Sequence, residues 1–114
     1  DNATNKRFVA DFKAKTGRYP THYAAQSYDA IMLIKSGVDA VNGDTSNQDG
    51  IRAGMLKADF ASVRGKYRYG SNHFPIQNFY LRTVKKDANG DWFVSHVSTV
   101  LSDHQDSYHG QCKL

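Results

Sequence analysis

Residues 17–42, GRYPTHYAAQSYDAIMLIKSGVDAVN, decide how this chain folds. Gly17 and Pro20 mark a turn at the start of the stretch, because both residue types interrupt regular structure. Beyond the turn, apolar side chains recur at the three-to-four spacing of one helical face. Neighbouring alanine, methionine and leucine residues broaden that face, which predicts a long and largely buried helix. The residues that set the spacing are Tyr28, Ile31, Ile34 or Lys35, Val38 and Val41.

An amphipathic pattern upstream predicts a first helix over residues 2–16. Asn2 or Thr4 is placed to accept hydrogen bonds from the first free amides of this helix. Gly17 is placed to end it, because glycine tolerates the left-handed conformation of a helix C-terminus.

A weaker pattern downstream predicts a third helix over residues 45–59. It follows the turn signal Asn-Gly-Asp, and Thr45 or Ser46 is the expected N-cap. Gly50 and Gly54 lie inside it, and each weakens a helix by about 1 kcal/mol relative to alanine. We therefore expect a surface helix that packs through one side.

From residue 60 the pattern changes from the helical period to alternation. Residues 60–69 and 76–84 each predict a strand. The polar segment 86–91 contains the Asn-Gly pair typical of a hairpin turn, and residues 92–101 form the returning strand. The polar tail, residues 103–114, is predicted to be a short helix or a frayed end.

The predicted fold class is α/β, with three helices followed by a short strand and a β-hairpin. Parallel βαβ units need strands between their helices, and this chain has none there. The helices are therefore expected to flank a sheet whose strands lie upstream of Asp1. The chain also begins with Asp1 instead of methionine, so we expect it to be a piece of a longer protein.

The composition is that of one small globular domain of 114 residues, with 39% hydrophobic and 23% charged residues. No apolar run approaches the roughly 18–20 residues that span a bilayer. The net charge of +4 permits nucleic-acid binding without arguing for it.

Motifs of catalysis are absent from the sequence. It contains no glycine-rich phosphate loop, nucleophile elbow or kinase signature, so we expect no enzymatic activity and no cofactor. Histidines near the end of the chain invite a zinc hypothesis, but the spacings of zinc sites are missing and we expect no metal. The side chains of that rejected cluster are Asp103, His104, Asp106, His109 and Cys112.

A basic, aromatic segment supports an alternative function. A strand of this composition can stack bases and neutralise phosphates, as in RNA-binding sheets. The simpler interpretation, which we favour, is an edge strand whose charged face is solvated. The helices upstream also depart from the βαββαβ order of such a module. The residues that would carry RNA binding are Arg64, Lys66, Tyr67, Arg68 and Tyr69.

Several segments, in order, resemble the late part of type I periplasmic solute-binding proteins of ABC importers. These include the leucine/isoleucine/valine-binding proteins and their aromatic-acid-binding relatives. The similarity begins with NKRFVADFKAKTGRYP and YAAQSYDAIMLI, continues through FASVRGKYRYGSNHFPIQNFYLRTV, and ends in DANGDW. It covers almost the whole chain, and the ordered series is more specific than any one segment.

The resemblance implies a C-terminal portion of a two-lobed fold that closes on its ligand by a hinge motion. Residues 1–70 would be the later helices and strand of the first lobe. Residues 71–114 would contain the last hinge crossing, the hairpin and a tail associated with the second lobe.

The resemblance also implies an exported receptor outside the cytoplasm, with no catalysis and no nucleic-acid partner. Its solute would be a branched-chain amino acid or a small aromatic carboxylate. Its macromolecular partners would be the importer's membrane permease and the remainder of its own chain. We expect the piece alone to bind solute poorly, and to form homo-oligomers that cover its apolar helix.

The resemblance places one wall of the ligand cleft just before the long helix. Tyr23 is the candidate contact, by its ring or its hydroxyl, and His22, Ala24 and Gln26 are weaker candidates. Tyr23 is equally consistent with an aromatic residue of the core or of the boundary between lobes. The groups that recognise ligand charge lie mostly upstream in the family, so the resemblance carries none of them over to this chain.

Overall fold

Three helices followed by an antiparallel sheet make up residues 2–66 and 68–112, the part of the chain that the computed structural model describes. This order confirms the predicted fold class. The helices are α1 (Ala3–Thr16), α2 (His22–Ala40) and α3 (Gln48–Leu56); the strands are β1 (Arg68–Tyr69), β2 (Pro75–Lys86) and β3 (Trp92–His104); a 3-10 helix spans His109–Gln111. The sheet has the strand order β1-β2-β3, and both neighbouring pairs are antiparallel.

Both ends of α1 lie where the sequence predicts them. Asn2, rather than Thr4, is the N-cap, and its side-chain oxygen accepts a hydrogen bond from the Asn5 amide at 2.8 Å. Gly17 ends the helix with a φ of 72°, and its amide donates to the Lys13 carbonyl at 2.9 Å. Glycine adopts this left-handed conformation at little cost.

The prediction that α2 is largely buried is wrong for this chain. Within the helix only Asp29 and Gly37 are buried, while Ile31 and Ile34 are 65% and 51% exposed. The helix packs mainly against α3, and no strand in the described ranges covers its remaining apolar face.

The molecule is flat and has a small apolar core. Its principal extents are 48 × 34 × 18 Å, and its radius of gyration is 16.4 Å. A compact domain of this length has a radius of gyration of about 13 Å. Val63 and Ile76 are the buried apolar side chains among the residues described. Specific polar contacts therefore carry an unusual share of the tertiary structure.

Two buried glycines allow α2 and α3 to approach closely. A β-carbon on Gly37 would lie 2.7 Å from Met55 Cγ and 2.8 Å from the Ile51 carbonyl oxygen. A β-carbon on Gly54 would lie 2.7 Å from Ala40 Cβ. Gly54 thus permits the close contact between α2 and α3, although glycine lowers the helix propensity of α3.

The predicted start and end of the third helix are wrong by a few residues. Asn47 is the N-cap, and its side-chain oxygen accepts from the Gly50 amide at 3.0 Å. Thr45 does not cap the helix, and Ser46 instead donates its amide and hydroxyl to the Asp44 carboxylate at 3.0 and 2.6 Å. The helix ends at Leu56, before the positive φ of 49° at Ala58.

The strand predicted over residues 60–69 is mostly absent. Among the described residues of this segment, Arg68 and Tyr69 pair with β2, while Val63 and Arg64 lie in a turn. The reason is that Asp29 of α2 binds Ser62, Val63 and Arg64, and this holds the segment against the helix.

The hairpin is confirmed, with longer strands than predicted. β2 and β3 pair from Lys86↔Trp92 to Gln77↔His104, with three irregularities in the register. In the turn, Asp87 Oδ1 accepts from the amides of Asn89 and Asp91 at 2.9 and 3.0 Å. The Asn-Gly signal is therefore part of a turn organised by Asp87.

The same aspartate joins the hairpin tip to the end of α1. Asp87 Oδ2 accepts from Lys13 Nζ at 2.8 Å and from the Tyr19 hydroxyl at 2.9 Å. The Lys13 ammonium lies 3.9 Å from the centre of the Tyr19 ring. The hydrogen bond from Lys13 holds the pKa of Asp87 well below its usual range, with help from the turn amides. The hydrogen bonds to Asp87 and Asp91 raise the pKa of Lys13.

We expect this cluster to make stability depend on pH. A depressed carboxyl pKa stabilises the fold above the unfolded value near 4, and this contribution is lost as the pH falls below it. A raised lysine pKa stabilises below about 10.4, and that contribution is lost as the pH rises further. Urea unfolding between pH 2 and 11 should show both declines.

The Asp87→Asn variant should show a shallower acid decline than the wild type, because it removes the titrating carboxyl. Asp11→Asn is the control, since Asp11 forms only an exposed pair with Arg7 at 3.5 Å. Equal acid slopes for wild type and Asp87→Asn would contradict the assignment.

Candidate ligand-binding groove

A groove of about 600 Å³ opens between the first turns of α2 and strand β2. This volume falls within the range of small-molecule sites, roughly 300–1,000 Å³. The helix side is lined by Thr21, His22, Tyr23, Ala25 and Gln26, and the other side by Arg64, Gln77, Asn78, Phe79, Tyr80, Arg82 and Val94.

The sequence places the helix side of the groove through the start of α2. Thr21 is the N-cap, and its hydroxyl accepts from the Ala24 amide at 3.5 Å. Residues one turn apart share a helical face, which brings His22 and Gln26 to the same side. Ala24 lies about half a turn away from both of them.

Three of the four predicted contact residues therefore lie together in the lining. Tyr23 is 69% exposed, and its ring centre is 4.0 Å from that of His22. Gln26 also lines the groove, whereas Ala24 is outside the lining. Their role as ligand contacts stays a prediction.

A buried carboxylate beside the groove holds the neighbouring loop in place. Asp29 is 1% exposed, and it accepts hydrogen bonds from the Ser62 hydroxyl at 2.6 Å and the Val63 amide at 3.0 Å. Arg64 Nε donates to the same carboxylate at 2.8 Å, and Arg64 Nη1 donates to Gln77 Oε1 at 3.3 Å. This network joins α2 to β2 and determines where Arg64 lies.

The strand side carries aromatic rings and a second guanidinium. The ring of Tyr80 contacts His96 edge to face at 5.4 Å between centroids, and the Arg82 guanidinium lies 5.8 Å from the centre of the Tyr80 ring. Phe79 makes a similar edge contact with His104 at 5.6 Å. The sequence-based prediction did not include this side of the groove. The combination of Phe79, Tyr80 and Arg82 on one strand was the signal that could have indicated it.

The groove is cationic and partly aromatic. Its lining holds two guanidinium groups, and none of the lining residues that the structure describes is an aspartate or glutamate. Exposed ring faces offer apolar contact, while guanidinium groups donate paired hydrogen bonds to a carboxylate. The arrangement suits a small anion with an apolar body.

Most members of the rejected metal cluster have other partners. Asp103 pairs with Arg68 at 3.0 Å, Asp106 accepts from Asn72 at 2.7 Å, and His109 Nδ1 contacts the Asp106 carbonyl at 2.8 Å. Within residues 2–66 and 68–112, no three potential metal-ligating side chains cluster.

The basic residues of the RNA-binding alternative have separate partners in the fold. Arg64 is bound to the buried Asp29, and Arg68 pairs with Asp103. Tyr67 lies outside the described residues.

Within the part of the chain that the structure describes, no helix is long and apolar enough to cross a membrane.

Comparisons with known proteins identify the fold and the family. The family described as periplasmic binding protein matches residues 1–90. Comparison with curated proteins gives no match. A solved structure of an ABC transporter solute-binding protein from R. palustris, in complex with benzoate, is 38% identical with a TM-score of 0.84. The match covers 100% of this chain and 30% of that chain.

These findings confirm the resemblance inferred from the sequence, and they give no support to RNA binding. The family match spans residues 1–90, and the match to the solved structure covers 100% of this chain. This chain belongs to the periplasmic binding protein family.

Proposed function

We propose that this protein is part of an extracytoplasmic solute receptor of an ABC importer, and that its groove binds a small aromatic carboxylate. The observation that carries the proposal is the groove itself, where exposed rings and guanidinium groups meet at the start of α2. The benzoate bound by the R. palustris protein supports the same solute class.

The lining favours an aromatic acid over a branched-chain amino acid. An amino acid carries an ammonium group, which needs an anionic or carbonyl partner when it leaves water. Arg64 is paired with Asp29, so Arg82 is the charge that an ammonium would meet, and no carboxylate in the described lining offsets it. A simple carboxylic acid has no such group, and its ring can lie against Tyr23 or Phe79.

In this proposal the receptor has two lobes, with residues 1–70 in the first and residues 71–114 associated with the second. The remainder of the chain supplies the opposite wall of the cleft, and a membrane permease receives the solute. The receptor has no catalytic activity. Because one wall alone buries little of a ligand, we expect the 114-residue chain to bind solute weakly.

A hybrid receptor tests the proposal. In it, this chain replaces the matching 30% of the R. palustris solute-binding protein. Calorimetric titration should show micromolar benzoate binding to the hybrid, far weaker binding to the 114-residue chain, and no competition by leucine. A folded hybrid that ignores benzoate, or that binds leucine more tightly, would refute the proposal.

Removing the Tyr23 ring should weaken benzoate binding to the hybrid about 3- to 10-fold, the usual worth of one aromatic contact. Tyr108→Ala is a matched control, because Tyr108 is also 69% exposed and lies outside the groove. Affinity should change in Tyr23→Ala and stay constant in Tyr108→Ala. Equal affinities would place the ligand elsewhere.

A further inference from the structure

We propose that Arg82, and not Arg64, is the residue that binds the solute's carboxylate and selects acids over neutral analogues. This inference rests on the proposed function. It follows from a difference between the two guanidinium groups that line the groove, since one is held by the fold and the other is available to a ligand.

Arg64 is held in place by hydrogen bonds within the protein. Its Nε donates to the buried carboxylate of Asp29 at 2.8 Å, and its Nη1 donates to Gln77 at 3.3 Å. The Arg64 side chain is only 25% exposed. Turning this guanidinium toward a solute would leave a buried aspartate without its counter-ion, which is costly. Arg64 is therefore not available to bind a solute carboxylate, and its charge is largely balanced by that of Asp29.

Arg82 is placed differently. It lies on β2 opposite His96 of β3, it lines the groove, and its guanidinium lies over the Tyr80 ring. Across the described parts of the chain, no carboxylate forms an ion pair with it. Its donors are thus available to an anion, and the planar guanidinium matches both oxygens of a carboxylate.

The neighbouring rings give the bound anion an orientation. Tyr80 lies under the Arg82 guanidinium, and its own ring is braced edge to face by His96. Phe79 and Tyr23 line the same groove as Arg82 and are 44% and 69% exposed, so their rings are available to the body of a ligand whose carboxylate binds Arg82. The expected ligand is therefore a flat ring bearing one carboxylate and no cationic substituent.

Benzoate and benzamide provide the test, because they share shape and differ in charge. In the hybrid receptor, Arg82→Gln should weaken benzoate binding roughly 10- to 100-fold, as expected for loss of a charge-assisted pair, and leave benzamide binding unchanged. Arg82→Lys should restore part of the benzoate affinity, since it keeps the charge without the planar fork. Lys85→Gln, on the same strand and outside the groove lining, is the charge-matched control.

The 114-residue chain gives a direct second measurement. With ¹⁵N-labelled protein, the Arg82 Nε–H signal, assigned by its absence in Arg82→Gln, should shift on addition of millimolar benzoate and stay in place with benzamide. The Arg64 signal should move less.

The possible failures are distinguishable. If the wild-type hybrid binds no benzoate, the proposed function fails and the role of Arg82 fails with it. If the wild-type and Arg82→Gln hybrids bind benzoate equally, the role of Arg82 is refuted and the receptor function stands. If Arg82→Gln weakens the binding of benzoate and benzamide equally, Arg82 maintains the shape of the groove without recognising the ligand's charge. That result also refutes the inference.

Discussion

Replacing Asp29 with alanine should lower the free energy of unfolding by about 3–5 kcal/mol, the range for removing one partner of a buried ion pair. The carboxylate is 1% exposed and accepts hydrogen bonds from Ser62, Val63 and Arg64. Its removal leaves the donors of a mostly buried cluster without their acceptor. Since a small domain has only about 5–15 kcal/mol of stability, this loss is a large part of the total.

Urea unfolding followed by circular dichroism measures this loss, and amide hydrogen exchange at Val63 locates it. The Val63 amide, which donates to Asp29 at 3.0 Å, should exchange much faster in the variant. Asp39→Ala is the control, because its exposed pair with Lys35 is worth less than about 1 kcal/mol. Similar urea midpoints for the two variants would show that the buried network is dispensable.

The Asp29 network also explains why one predicted strand is absent. Alternation over residues 60–69 is a local pattern, and it favoured a strand. The contacts that override it join residues 33 to 35 positions apart, from Asp29 to Ser62, Val63 and Arg64. No periodicity within either segment contains that information. By contrast, Gly17 acts within its own turn, and the sequence located it correctly.

The groove was predictable on one side only, for the same physical reason. His22, Tyr23 and Gln26 are close in sequence at the start of one helix, so identifying the helix start placed them together. Arg82 lies some 60 positions further along the chain, and its arrival beside them depends on how the hairpin folds back. Alternation indicated that the segment was a strand but not which element it would face.

Gly37→Ala should destabilise the protein by up to about 2 kcal/mol, although alanine is the better helix former. A β-carbon at this position would meet Met55 Cγ at 2.7 Å and the Ile51 carbonyl oxygen at 2.8 Å. The methionine can move, but the carbonyl belongs to the backbone of α3 and moves only with the helix. Overpacking of this kind costs about 1–3 kcal/mol. This overpacking cost exceeds the roughly 1 kcal/mol of helix stability that alanine gains over glycine.

Thermal and urea unfolding of Gly37→Ala and Gly37→Val separates the two effects. The valine variant should be the less stable of the two, because its added methyl groups extend into the same helix interface. Gly110→Ala is the control, since a β-carbon there meets no atom within 4 Å. A rise of about 1 kcal/mol in Gly37→Ala would mean that helix propensity wins over packing. In that case α2 and α3 would be free to separate, and the close glycine contact would contribute nothing to the fold.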